Sequence, residues 1–136
     1  MIASLFFTVV LLVITTYFIL GSVPLLVLKH DTPLDARFIR AFFNTYYRTA
    51  MFAATATAVS YGLAGRLFLA AGAAALILLA IVLRRQIIPL MDSLGAQIQV
   101  SGTDAIPGFR RIHLTAILLN VAQLALIVWT LTIALR

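Results

Sequence analysis

Charged residues are sparse along this chain and divide it into four long runs that carry none: residues 2–28, 49–65, 67–83 and 112–135. A membrane helix needs about 20 predominantly apolar residues to cross about 30 Å of hydrocarbon. The first and last runs suffice alone. The middle two reach span length by borrowing residues 42–47 before Arg48 and 84–88 after Leu83, with the arginines snorkelling toward the interface. Lipid offers backbone groups no water, so such runs must be helices or strands of a closed barrel, and they lack the alternation a barrel requires. The pattern therefore predicts an all-α, polytopic membrane protein. It forms a single domain, an antiparallel bundle of four transmembrane helices over 2–28, 33–62, 67–92 and 107–135, with a loop over 93–106.

The first run has no basic n-region and no small-x-small site before Lys29, so it reads as a retained helix rather than a secretory signal. Pro24 should kink it close to Gly21. Thr32-Pro33-Leu34-Asp35 reads as a helix start, with Thr32 as N-cap and Pro33 in the first helical position. Thr103 or Asp104 is placed to cap the last helix. The second and third helices are rich in small residues, with Ala53, Ala54, Ala56, Ala58 and Gly62 set against Ala70 to Ala75 across a short turn at 62–66. Small residues let membrane helices approach closely, so a tight hairpin is expected.

Polarity collects in stripes. On the last helix His113, Ala116, Asn120, Gln123, Ile127 and Thr130 share one side, while Leu114, Ile117, Leu118, Val121, Leu124, Val128, Leu131 and Leu135 share the other. An unpaired amide in hydrocarbon costs several kcal/mol, so the polar stripe should point into the bundle. Ser4, Thr8, Thr15 and Ser22 form a fainter stripe on the first helix. Arg40, Asn44, Tyr47 and Arg48 cluster on the second, and Arg85 and Asp92 share a face of the third. These placements predict a polar pocket in one half of the bundle, built from Asn44, Tyr47, Arg48, Arg85, His113, Asn120 and Gln123. Such a pocket is either a functional site or an interhelical lock.

Composition agrees with a lipid solvent: 63% of residues are hydrophobic and 10% charged, where a soluble domain carries about 25% charged. The absence of cysteine excludes a disulfide scaffold. Of the ten Lys and Arg, all but Arg66 and Arg136 fall on one side of the four-span layout. By the positive-inside rule that side is cytoplasmic and both termini are periplasmic. Anionic lipid at that face accounts for the net charge of +6 without any nucleic acid. The four Asp lie there too, none in mid-span, which weighs against an ion pathway. With no Cys, no Glu and only His30 and His113, a metal centre is not expected. The two histidines fall on the same side, and haem ligation by His113 with His30 is an alternative reading.

Three stretches resemble a known family. Phe109-Arg110-Arg111-Ile112-His113-Leu114, followed by Leu118-Leu119-Asn120-Val121-Ala122-Gln123, is similar to the F-x-x-[LI]-H…LN…Q signature of the DUF4149 or TMEM205-like membrane proteins. Phe43-Asn44-Thr45-Tyr46-Tyr47-Arg48 resembles that family's F-x-x-Y-Y, and residues 85–92 resemble the end of its third helix, where Pro89 follows a long apolar run. The anthrone-oxygenase-like membrane proteins share the four-helix layout but end in a Trp-Asn-His pattern absent here. The resemblance implies a four-helix bundle, with a loose link to drug and metal tolerance among animal members. Only Tyr46, Tyr47, Pro89, His113 and Asn120 match motif positions, and the resemblance attaches no role to them. Related-looking families with haem or copper roles carry additional histidines that this chain lacks. Short loops, no convergent acid–base pair and long aliphatic faces favour a non-catalytic accessory or scaffold subunit of a complex, or a homo-oligomer, in a bacterial inner membrane. The alternatives are a haem- or quinone-binding redox protein using His113, or a small-molecule or metal-tolerance transporter.

Overall fold

The computed structural model describes residues 1–27, 33–101 and 106–136, and throughout them the chain is helical or turning. Four helices follow in order: α1 (Ile2–Leu25), α2 (Pro33–Leu63), α3 (Leu67–Ser101) and α4 (Ile106–Ala134). Three of them are long and apolar enough to cross a membrane, over Ile2–Leu25, Leu67–Ile98 and Ile106–Ala134. The sequence predicts four such helices. α2 falls short because Asp35, Arg37, Arg40, Arg48 and many Thr, Ser and Tyr dilute its apolar content.

Long-range contacts set the arrangement. Phe18 of α1 stacks near Phe42 and Tyr46 of α2, while Thr8 meets Tyr61, so these helices run antiparallel. Arg40 reaches Asp92, and Asn44 reaches Arg84, which pairs α2 antiparallel to α3. α4 closes the ring against α1 and α3, leaving α2 and α4 diagonal across the centre. The turn between α2 and α3 is a Schellman motif. Arg66 N–H donates to Tyr61 C=O at 2.9 Å and Gly65 N–H to Gly62 C=O at 3.1 Å. Gly65 takes φ +71°, a left-handed value that only glycine adopts without strain.

Several expectations change. α1 ends at Leu25, with Pro24 inside its last turn. α3 continues to Ser101, which makes most of the expected 93–106 loop helical. Ile98 explains part of this: it is buried and belongs to the same core as Phe109 at the start of α4. His30, the expected caps Thr32, Thr103 and Asp104, and the rest of 28–32 and 102–105 lie outside the described residues. In the α2–α3 hairpin, Ala53, Ala54 and Ala73 are buried as expected. Gly62 and Gly72, however, would place a Cβ with nothing within 4 Å, so neither is needed for close approach.

The core is graded along the axis. The basic end holds an aromatic cluster of Phe43, Tyr46, Tyr47 and Phe109 with Ile39, Ile87, Ile88 and Met91. The middle is filled by Leu11, Ala53, Ala54 and Ile127, and the far end by Tyr61, Leu69 and Ala134. α2 supplies every level because its inward stripe repeats at three- and four-residue steps: Ala36, Ile39, Phe43, Tyr46, Ala50, Ala53, Thr57 and Tyr61 are all buried.

Candidate functional site: a polar seam along the bundle axis

The polar stripe of α4 faces inward. His113, Ala116, Asn120, Gln123 and Ile127 are buried and Thr130 is half-buried. Ser4, Thr8, Thr15 and Ser22 of α1 are buried as well. The aliphatic side of α4 is exposed or half-buried except for Ile117, which packs into the aromatic cluster. Beside Ala116 and one turn from His113, Ile117 lies on the border of the inward stripe and is drawn in by that cluster.

Local chemistry satisfies most of the seam. Thr8 and Thr15 donate to the carbonyls of Ser4 and Leu11 at 2.7 and 2.8 Å, the back-bond that lets hydroxyls sit inside a membrane helix. With its proton used in this way, Thr8 Oγ1 accepts from the Tyr61 hydroxyl at 3.1 Å. Tyr46 donates to Gln123 Oε1 at 2.8 Å, tying α2 to α4 across the centre.

His113 joins α4 to the end of α1. Its Nε2 lies 3.2 Å from the Ser22 carbonyl oxygen, and a carbonyl only accepts, so Nε2 carries the proton. That carbonyl is available because Leu26 N–H bonds to Val23 C=O instead. His113 thus caps the C-terminus of α1, where a donor also meets the negative end of the helix dipole. Phe43 packs edge-on against the imidazole with ring centroids 5.3 Å apart.

The expected pocket is only partly assembled. Tyr47, His113, Asn120 and Gln123 are buried, whereas Arg48 and Arg85 are exposed and lie outside it. Asn44 is half-buried and accepts from Arg84 Nε at 2.9 Å. One residue on a helix is a rotation of about 100°, which places Arg84 against α2 and Arg85 away from it. Asp92, two turns along the same face of α3 as Arg85, pairs with Arg40 of α2. Tyr46, Tyr61 and Arg84 are seam and hairpin partners that the spacing of polar positions does not mark. The signal for Tyr46 was available in the inward repeat of α2, where it follows Phe43 by three residues.

Three groups stay unpaired within the seam. Tyr47 Oη and both side-chain atoms of Asn120 are buried without a hydrogen-bond partner among the described residues, as is Ser4 Oγ near the far end. Two voids of about 10 Å³ each lie along the axis, close to what one water occupies. One is bordered by Thr15, Tyr46 and Gln123, the other by Thr8, Thr57 and Thr130, and Leu11, Leu76 and Ile127 border both. No group of three His, Cys, Asp or Glu able to hold a metal occurs among the described residues. Compared with family models, curated proteins and solved structures, the chain matches none.

The Tyr46–Gln123 bond has a measurable weight. A double-mutant cycle with Tyr46→Phe and Gln123→Leu should give a coupling of ~1 kcal/mol, read from unfolding of the detergent-solubilised protein. Additive effects would mean that the two side chains do not interact.

Proposed function

We propose that this chain is an integral membrane protein in which all four helices cross the bilayer, and that it acts as a non-catalytic accessory subunit seated against another membrane helix. The four-span reading rests on how α2 is flanked. It packs antiparallel against two helices that are themselves apolar enough to cross, from the Arg40–Asp92 level to the Gly65 turn. Its Tyr46, Tyr47, Thr57 and Tyr61 side chains are buried by protein rather than facing lipid. The basic end is cytoplasmic by the positive-inside rule, with both termini periplasmic in a bacterial inner membrane. The motif likeness to the DUF4149 or TMEM205-like proteins supports the same layout.

The subunit reading is carried by one contrast: the polar side chains of α1 and α4 turn inward, while apolar grooves open outside. A groove of about 680 Å³ between α1 and α2 is lined by Phe7, Phe52, Thr55, Ala56, Val59 and Leu63. A second, of about 310 Å³ between α3 and α4, includes Ala71, Gly72, Ala75 and Trp129. Small residues at the base of a groove suit the close approach of another helix. The alternatives have less support. His113 is fully buried with Phe43 packed against its ring, and the axial voids are sized for water rather than a haem, a quinone or a transported solute.

A photo-crosslinker replacing Phe52 should yield an adduct with a second polypeptide in intact membranes, while one replacing Leu114 should not. A second copy would announce itself by the adduct's mass. Adducts with lipid alone from the Phe52 position would rule out the subunit reading.

A further inference from the structure

At the basic end, α2 and α3 enclose a cavity of about 390 Å³ that the axial seam does not use. Its base is small and apolar, formed by Ala36, Gly95, Ala96 and Met91, and its rim carries Arg37, Arg40 and Asp92. The helices run close beneath it: a Cβ on Gly95 would stand 3.4 Å from Ala36 Cβ, at van der Waals contact. Arg40 donates from Nε and Nη2 to the two carboxylate oxygens of Asp92 at 2.9 and 3.2 Å. This pairing holds the guanidinium plane and leaves its Nη1 edge free of Asp92. Arg37, one turn earlier and exposed, adds a second cation, so two arginines stand against one carboxylate and the rim is net positive.

Depth and neighbours indicate what such a rim meets. Phe42 touches α1 at Gly21, where an added Cβ would come within 2.9 Å of the ring tip, and α1 ends at Leu25. Arg37 and Arg40 therefore lie level with the end of a membrane-crossing helix, at headgroup depth. A cationic rim at that depth meets phospholipid phosphates at a far higher local density than any free anion.

We propose that this cavity binds the phosphate of an anionic phospholipid headgroup. Arg37 and the Nη1 edge of Arg40 donate to phosphate oxygens, and the acyl chains run from there toward the bilayer core. The inference rests on the membrane reading above.

The test is native mass spectrometry of the full chain extracted in mild detergent, with phosphatidylglycerol or phosphatidylcholine added. Phosphatidylglycerol should be retained in preference, and Arg37→Gln should reduce that retention about fivefold, the weight of one arginine near an anionic surface. Arg66→Gln, at the opposite end where the side chain reaches the Ala134 carbonyl, should leave it unchanged. Equal retention of both lipids, or equal loss in the two variants, overturns the site. Inorganic phosphate is the remaining arm. Thermal stabilisation by phosphate that Arg37→Gln removes, without any preference for phosphatidylglycerol, would assign a free anion and overturn the lipid. Release of the protein from membranes by alkaline carbonate would instead remove the membrane reading itself, so the two failures are distinguishable.

Discussion

Truncating Phe43 to alanine is expected to lower stability by about 3–5 kcal/mol, the range for deleting a large aromatic ring from a packed core. Phe43 is fully buried at the junction of α2 with α4, its ring centroid 5.3 Å from His113, 5.9 Å from Phe42 and 6.4 Å from Tyr47. Between helices in lipid the hydrophobic effect contributes little, because acyl chains are as apolar as a leucine side chain. The loss is therefore one of dispersion contacts and of the cavity left behind, compounded by a freed imidazole. Thermal or denaturant unfolding in detergent measures it. Phe52→Ala is the control: that side chain is 81% exposed, and its removal should change stability by no more than about 0.5 kcal/mol. Equal effects at the two positions would mean that Phe43 does not face the bundle interior.

Asn120→Leu is expected to act in the opposite direction. The side chain is wholly buried, and neither its amide oxygen nor its nitrogen has a partner among the described residues. A buried donor or acceptor left unsatisfied costs about 1–3 kcal/mol, and leucine keeps the same branched heavy-atom skeleton without that cost. Stability should rise by about that amount. Gln123→Leu, one turn further along the same stripe, should lower it, because the Tyr46 hydroxyl would lose its acceptor. Two amides on one face of one helix thus give changes of opposite sign. A destabilised Asn120→Leu variant would show that this amide makes a hydrogen bond in the membrane-embedded protein.

The inward stripe of α4 was legible because lipid makes amides and an imidazole in an aliphatic run conspicuous. Once His113, Asn120 and Gln123 are seen to share a side, that side has only one stable direction. The stripe of Ser4, Thr8, Thr15 and Ser22 follows the same logic, although its hydroxyls are satisfied largely within their own helix. Arginine carries no such information. A long side chain at a span's end can turn inward or outward at small cost, so spacing places Arg48 and Arg85 at a pocket they do not enter and does not single out Arg84. Tyr46 and Tyr47 are both buried, yet only the diagonal placement of α4 decides that the first has a partner and the second does not.

By itself the sequence determined the four-element layout, the lipid character of three helices, the charge asymmetry between the two ends and the polar faces of α1 and α4. All of these depend on the cost of placing a group in one solvent rather than another, a cost carried by the residue and its spacing. Tertiary structure decided which arginine meets Asn44, which acid meets Arg40, that His113 caps α1 and that α3 runs on to Ser101. Those outcomes depend on the rotation and depth of each helix relative to its neighbours. A single residue's rotation exchanges one contact for another, and only the packed ensemble of four helices selects among them.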